Sequence, residues 1–238
     1  MSPNSLERLT GALARAQQHW KERSQEAAAR GEAGAGASGL TIALTREAGT
    51  AGPLVGHEVG TRLGWPVYHH ELLELIAREM GLRVSLLESL DERRQSWLGE
   101  TLESFASVPT VSESAFVRHL IETILSLGAH GECVIVGRGA ALILPAETTL
   151  RVRLVAPREE RITVFSQRFA IARAEAARQV EVTDRERTRF IKDHFMQDPT
   201  NPLLYDLVLN TWRWSVSEAA QLIIDALHRL RARQSQEG

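Results

Sequence analysis

Apolar positions along this chain follow two alternating rhythms. Short runs of consecutive apolar residues mark strands, and longer stretches with an apolar residue every three or four positions mark helices. Leu40 to Leu44 is the first strand-like run. A turn of Gly49, Thr50, Ala51, Gly52 and Pro53 follows it, then an amphipathic segment carrying Leu54, Val55, Val59 and Leu63. This is strand, glycine-bearing turn and helix, a layout in which turn amides and a helix N-terminus hold an anion. Upstream, Leu6, Leu9, Leu13, Ala16 and Trp20 form a narrow apolar stripe on a helix expected from Ser5 to Arg30. A Gly/Ala linker from Gly31 to Gly39 follows it. Such a helix is expected to dock on its own domain or to associate with a second copy, the other reading being a dedicated helix for a partner.

Trp65 to Tyr68 predicts a second strand. His69, His70 and Glu71 open a helix carrying Leu72, Leu73, Ile76, Ala77 and Met80, with Gly81 as its stop. From Arg83 to Gly131 the pattern stays helical. Leu86, Leu87 and Leu90 lie on one face, and Trp97, Leu98, Leu102 and Phe105 on another. Pro109 interrupts the run, and Ser112 is placed to cap a helix bearing Phe116, Leu120, Ile121, Ile124 and Leu125. Three more strands are expected: Cys133 to Val136, running into Gly137-Arg138-Gly139; Leu150 to Val155, running into Ala156-Pro157; and Asp206 to Leu209, running into Asn210-Thr211. A long arginine-dense helical region separates the last two, from Arg158 to about Met196. A closing helix spans Val216 to Leu230. Apolar strands alternating with helices predict an α/β chain with a parallel sheet covered on both faces. Ligands of such sheets bind beyond the carboxyl ends of the strands, where five of these stretches converge.

Length and composition narrow the class. The 238 residues suffice for one α/β domain with insertions, and 43% hydrophobic with 24% charged residues is an ordinary globular balance. A formal net charge of −2 excludes a general nucleic-acid footprint. Cys133 is the single cysteine, so no intrachain disulfide or cysteine metal cluster forms, and its apolar run predicts a buried, inert thiol. No stretch has the length of a membrane span or a signal-peptide core, so a cytoplasmic protein with no membrane partner is expected.

The segments TIALTREAGTAGPLVGHEVGTRLGWPVYHHELL, VIVGRGAALIL, LRVRLVAPREERI, TDRERTRF and YDLVLNT, in this order, resemble the cytidylate-kinase-like branch of the nucleoside monophosphate kinases. The resemblance spans most of Thr41 to Thr211. It implies a three-layer P-loop kinase fold with a five-stranded parallel sheet in the order 2-3-1-4-5. The N-terminal helix and linker, 1–38, precede a kinase-like domain over 39–238, for which the resemblance implies a helical acceptor-binding insert at 70–131 and a lid at 158–197. It also implies that ATP with Mg2+ donates a phosphoryl group to a nucleoside monophosphate or similar small phosphorylated acceptor.

Phosphoryl transfer needs positioning and neutralised charge more than a covalent nucleophile. The phosphate loop here departs from the usual pattern. Arg46 and Ala51 fall where the motif glycines stand, Gly52 takes the place of the lysine, and Pro53 and Leu54 replace the magnesium-binding hydroxyl. Arg46, Gly49, Thr50, Ala51 and Gly52 are the candidate phosphate cradle, with Arg46 as the substitute cation; the other reading is a structural strand-to-helix turn. Arg138 is the candidate acceptor contact, although Gly139 stands where the family carries aspartate; the other reading is a structural salt bridge. Arg161, Arg168, Arg187 and Arg189 are the candidate lid cations, and the other reading is a helical hairpin laced with salt bridges. Asp184 is placed to pair with Arg187 on the same helix. Asn210 and Thr211 are candidate donor-nucleotide contacts. Trp212 and Trp214 are expected to pack the closing helix onto the core, the other reading being a base stacked on Trp212. A shared metal site at His69 and His70 is not expected. Two function classes follow: a phosphotransferase in which arginines replace the lysine, and a non-catalytic nucleotide-binding or scaffold protein with the N-terminal helix as its handle.

Overall fold

In the computed structural model, which describes residues 3–30, 39–106 and 114–237, five parallel strands form one sheet in the order β2-β3-β1-β4-β5. They are β1 (Thr41–Arg46), β2 (Val67–Tyr68), β3 (Val134–Val136), β4 (Thr149–Val155) and β5 (Leu207–Asn210). The helices are α1 (Pro3–Arg30), α2 (Gly52–Leu63), α3 (His70–Arg78), α4 (Met80–Glu88), α5 (Glu92–Ala106), α6 (Ala115–His130), α7 (Ala140–Ile143), α8 (Arg158–Phe169), α9 (Arg173–Phe195) and α10 (Val216–Glu237). The fold class and the strand order are those expected. β1 is the middle strand, pairing Ile42 with Val134 on one side and Thr41 to Arg46 with Thr149 to Leu154 on the other. Ile42, Ala43 and Leu44 are all buried because both sheet faces are covered, so β1 reads as a continuous apolar run.

One face packs Ile42, Leu44, Val136 and Val152 against Val55 and Val59 of α2 and Ile223 and Leu227 of α10. The other packs Ala43 and Ile135 against Leu73, Ile76, Ile121 and Ile124 of α3 and α6, with Ala16 and Trp20 of α1 added to that core. Helix α1 therefore docks on its own domain. Trp20 Nε1 donates to the buried Tyr68 hydroxyl at 2.9 Å, and Arg23 Nε donates to the His130 carbonyl at 3.0 Å. A third, small core of Ile162, Ala176 and Val180 joins α8 to α9 and holds Ala48 of the loop after β1.

Several sequence expectations shift. Gly81 does not end the first insert helix: the chain breaks at Glu79, in extended conformation, and Gly81 lies inside α4. Met80, expected inward, is exposed, and so is Leu54. The region after Arg158 is a hairpin, because Ala170 is left-handed (φ 51) between α8 and α9. Ser114 caps α6, its side chain accepting from Val117 N at 3.3 Å. Pro109, Ser112 and residues 31–38 of the linker lie outside the described residues. Cys133 is buried as expected, and burial pushes its thiol up to about 12. None of the described helices is long and apolar enough to cross a membrane.

Candidate functional site

The parallel sheet delivers the ends of β1, β3 and β4 to one edge, and the loop after β1 is built around two backbone requirements. Gly49 has φ +85, and a Cβ there would run into the Arg161 carbonyl oxygen, so only glycine lets the loop lie against the start of α8. Ala51 is left-handed (φ 54) and precedes α2 without a side-chain cap. Leu54 N and Val55 N donate to the Ala51 carbonyl at 2.8 and 3.1 Å and Pro53 has no N–H, so in the first turn of α2 only Gly52 keeps an amide for another acceptor.

Gly52, at the lysine position, explains where the cation went. A Cβ on Gly52 would meet the Arg46 side-chain stem at 2.8 Å. The Arg46 stem occupies the space over α2, and its guanidinium lies along Gly137, where a Cβ would fall 2.5 Å from Nη1. Arg46 is buried and its Nε has no hydrogen-bond partner. Burial, followed by the Arg187 and Arg138 charges and opposed by Glu71, pulls its guanidinium down to about 9.

Arg138 arrives from the end of β3 on three consecutive left-handed residues, Gly137 (φ 91), Arg138 (φ 51) and Gly139 (φ 76). A non-glycine residue held there costs about 1–2 kcal/mol, and such strain gathers at functional sites. Its guanidinium pairs with Glu74 and sits 5.4 Å from the centre of the Phe190 ring, while its Nε is buried without a partner. Arg187 comes from α9 and donates from Nη1 to the Arg46 carbonyl at 3.3 Å. Burial lowers its pKa as well, with Arg138 adding to the fall against Asp184 and Glu186. Arg46, Arg138 and Arg187 therefore form one cationic cluster beside the α2 N-terminus.

The other lid arginines go elsewhere. Arg161 is built into a clasp: it pairs with Asp184 and with Glu47 at 3.3 Å, and donates to the Ala48 carbonyl at 3.1 Å. Asp184 thus turns to Arg161 and to Ala48 N (2.7 Å), not to Arg187 as the helical spacing predicted, because the hairpin fold brings α8 closer than the next turn of α9. Arg168 is exposed at the end of α8, 5.6 Å from the Phe169 ring centre. Arg189 is not brought to the cluster; it faces solvent and pairs with Asp193 at 3.2 Å.

The loop separates two cavities. One of about 210 Å³ is lined by Gly49, Thr50, Ala51, Thr211, Trp212 and Trp214. Both tryptophans are about half exposed, which overturns their expected packing onto the core. Thr211 Oγ1 ties this wall to the loop, donating to the Thr50 carbonyl at 3.4 Å, and Asn210 caps the following turn by accepting from Trp212 N at 3.1 Å. The other cavity, about 1330 Å³ and open, is bounded by Arg46, Pro53, His69, Glu71, Glu74 and Arg168 with further residues of α1 and α3. Burial, with Arg46, His70 and His57 opposing Glu71, drops His69 to about 4, leaving it neutral at pH 7. Its neighbour His70 pairs Nδ1 with Glu71 at 2.9 Å, a bond that helps hold the Glu71 carboxyl at about 2. Among the described residues no three His, Cys, Asp or Glu side chains gather to hold a metal.

Sequence reasoning missed Glu47, Asp184 as a clasp, and Glu74. Glu47 carried one signal, a charge directly after the central strand of a parallel sheet; the other two depend on how the hairpin and α3 fold back.

Comparison with known proteins agrees with this architecture. The model of the cytidylate kinase-like family matches residues 41–213. Cytidylate kinase of Methanopyrus kandleri is 32% identical over 113 residues, 44% of this chain and 58% of that protein. Uronate isomerase of Corynebacterium glutamicum is 27% identical over 135 residues, 56% of this chain and 26% of that protein. The chain thus spans less than two thirds of either relative. The crystal structure of an uncharacterized protein from Eubacterium ventriosum shares the fold, with a TM-score of 0.65 at 20% identity over 80% of this chain and 98% of that one. With its match running from the first residue of β1 to the turn after β5, the chain belongs to the cytidylate kinase-like family.

Proposed function

We propose that this protein binds ATP on one side of the β1–α2 loop and a nucleoside monophosphate on the other, and transfers a phosphoryl group between them. The observation that carries this reading is the buried Arg46 guanidinium, whose Nε has no partner and whose charge is pressed by the neighbouring Arg187 and Arg138, the latter already paired with Glu74. Uncompensated cations in a buried site are costly, and an anionic ligand removes that cost. The donor set therefore fits a polyphosphate. Mg2+ needs only phosphate oxygens, waters and one or two carboxylates, and Glu71, which opposes the Arg46 charge, is the carboxylate for that place.

ATP when bound supplies the transferable phosphoryl group and, with Mg2+, part of its charge neutralisation. The chain's own residues supply the rest. Thr211 and Trp212 receive the donor base, and the backbone of Gly49 to Gly52, with the Gly52 amide at the start of α2, orients its phosphates. Arg46 and Arg187 neutralise the equatorial oxygens as charge spreads in the transition state, as lysine and lid arginines do in related chemistry. Arg138 holds the acceptor phosphate. Arg161 positions the loop through its clasp, and Arg168 closes the open cavity from the hairpin. Arg189 lies outside this arrangement.

A second reading is favoured by Gly52, Pro53 and Leu54 at the lysine and hydroxyl positions: a nucleotide-binding protein without turnover. Titration calorimetry with ATP, with and without Mg2+, and with a panel of nucleoside monophosphates, run beside a phosphate-transfer assay, separates the two. Binding with turnover that Arg138→Ala abolishes supports transfer. Binding without turnover supports the second reading, and no nucleotide binding at millimolar concentration refutes both.

A further inference from the structure

Helix α1 lies outside residues 41–213 matched by the family model, yet it forms a wall of the cavity that contains Arg46. Its two faces do different work. Leu9, Leu13, Ala16 and Trp20 pack into the core beside Tyr68 and α3. Arg15, Gln18, His19 and Glu22, at spacings of three and four, share another face, and all four line the open cavity. A polar helical face is ordinarily solvated; this one lines a cavity whose wall also includes Arg46.

His19 is the informative member. Both of its ring nitrogens are shielded from solvent and make no hydrogen bond of good geometry, although the Gly131 backbone interacts with the ring and the His130 ring stands edge-on with centres 6.4 Å apart. A buried polar side chain without a partner costs stability unless a ligand completes it. Arg15 has no ion-pair partner among the described residues, and its guanidinium lies back along the helix by Gly11, at 3.7 Å from a Cβ placed there. The position of α1 is firm, because Trp20 and Arg23 are hydrogen-bonded to Tyr68 and His130.

We infer that α1 is a specificity wall for the acceptor: His19 and Arg15 hydrogen-bond the base or sugar edge of a nucleoside monophosphate whose phosphate rests on Arg46, which lines the same cavity. This rests on the functional reading above. The chemistry of the wall selects the ligand end it meets. Imidazole, guanidinium, amide and carboxylate groups read the donors and acceptors of a heterocycle or its hydroxyls, not an apolar body. Cavity size agrees, since about 1330 Å³ exceeds what a phosphate-only subsite needs and falls in the range of whole-ligand sites or above it.

The test uses the full chain with His19→Gln and Arg15→Ala, titrated with CMP, UMP, AMP and GMP and separately with ATP. The expected result is a loss of at least about tenfold in affinity for the preferred monophosphate in both variants, with ATP affinity unchanged. The His19 imidazole NMR signals shift on adding that monophosphate to the unmodified chain and not on adding ATP. Undiminished monophosphate binding in both variants, or an unmoved His19 signal at saturation, overturns the wall while leaving the kinase reading intact. ATP binding with no monophosphate bound also overturns it. Failure to bind ATP and all four monophosphates removes the kinase reading itself and the wall with it.

Discussion

Replacing Arg46 with methionine tests the central physical claim, that the cationic cluster is a liability in the absence of an anion and the source of affinity in its presence. Methionine keeps the unbranched stem that packs over Gly52 and removes the charge along Gly137. Arg46 falls from an ordinary pKa of 12.5 to about 9. At pH 7 it is protonated in the folded and unfolded chains alike. Because the folded pKa is the lower one, the charged form is disfavoured by folding, and this penalty is present at every pH below about 9. The shift corresponds to a ceiling of about 5 kcal/mol; replacing buried charges by apolar residues typically recovers about 1–4 kcal/mol. The ligand-free Arg46→Met protein is therefore expected to melt higher, by about 2–4 °C for each kcal/mol recovered. ATP at a hundredfold excess over its Kd adds about 2.7 kcal/mol to the unmodified protein and little to the variant. Differential scanning fluorimetry with and without ATP reads both effects. A ligand-free variant that melts below the unmodified protein, or one that keeps the full ATP shift, refutes the reasoning.

Other consequences are as concrete. Gly49→Ala places a side chain at φ +85 against the Arg161 carbonyl; it is expected to cost more than the about 1–2 kcal/mol of left-handed strain alone, read by urea denaturation. Trp20→Phe leaves the buried Tyr68 hydroxyl without its donor and is expected to cost about 1–3 kcal/mol; in a double-mutant cycle with Tyr68→Phe, most of that hydrogen-bond cost disappears. Burial holds His19 at about 4 and His130 at about 3. The unfolded chain takes up protons first as pH falls, so stability is full above about pH 6.5 and declines toward pH 3. His130→Gln flattens that decline, which unfolding curves between neutral and acid pH will show. Trp212→Ala is expected to weaken ATP by about 1–3 kcal/mol, the scale of base–aromatic stacking, with monophosphate affinity unchanged by calorimetry.

The sheet was legible because buried parallel strands leave apolar runs that no surface pattern imitates, and each run here ended in a glycine, proline or polar turn. Its order came from the resemblance, since nothing in Ile42 or Val134 says which strand lies beside which. Arg46 and Arg138 were legible as charges at strand ends, where packing alone does not call for arginine. The division among the lid arginines was not. Only the fold-back at Ala170 brings Arg161 to Asp184, and only the tertiary fold brings Arg187 to the Arg46 carbonyl, whereas Arg189 meets Asp193 one turn on within its own helix. The break at Glu79 was hidden because an apolar period of three to four residues continues across it, and Gly81 was the stronger local stop signal. The polar face of α1 was invisible as a site for the same reason: charged positions on a helix read as solvated until a cavity is seen in front of them.

The clasp of Glu47, Arg161 and Asp184 decides where the molecule can bend. It ties both helices of the hairpin to the loop after β1, and Gly49 presses that loop against the α8 backbone. The base of the hairpin and the loop therefore travel as one rigid piece. The far end, with the left-handed joint at Ala170 and Arg168 nearby, is closed by its own packing of Phe165, Ile171 and Ala176 and by Arg173, which reaches back to Glu159 and Thr163. Arg187 sits on the clasp side of the hairpin. Its charge is therefore carried with the loop after β1, through the bond from Nη1 to the Arg46 carbonyl, and keeps its distance from the sheet edge for as long as the clasp holds.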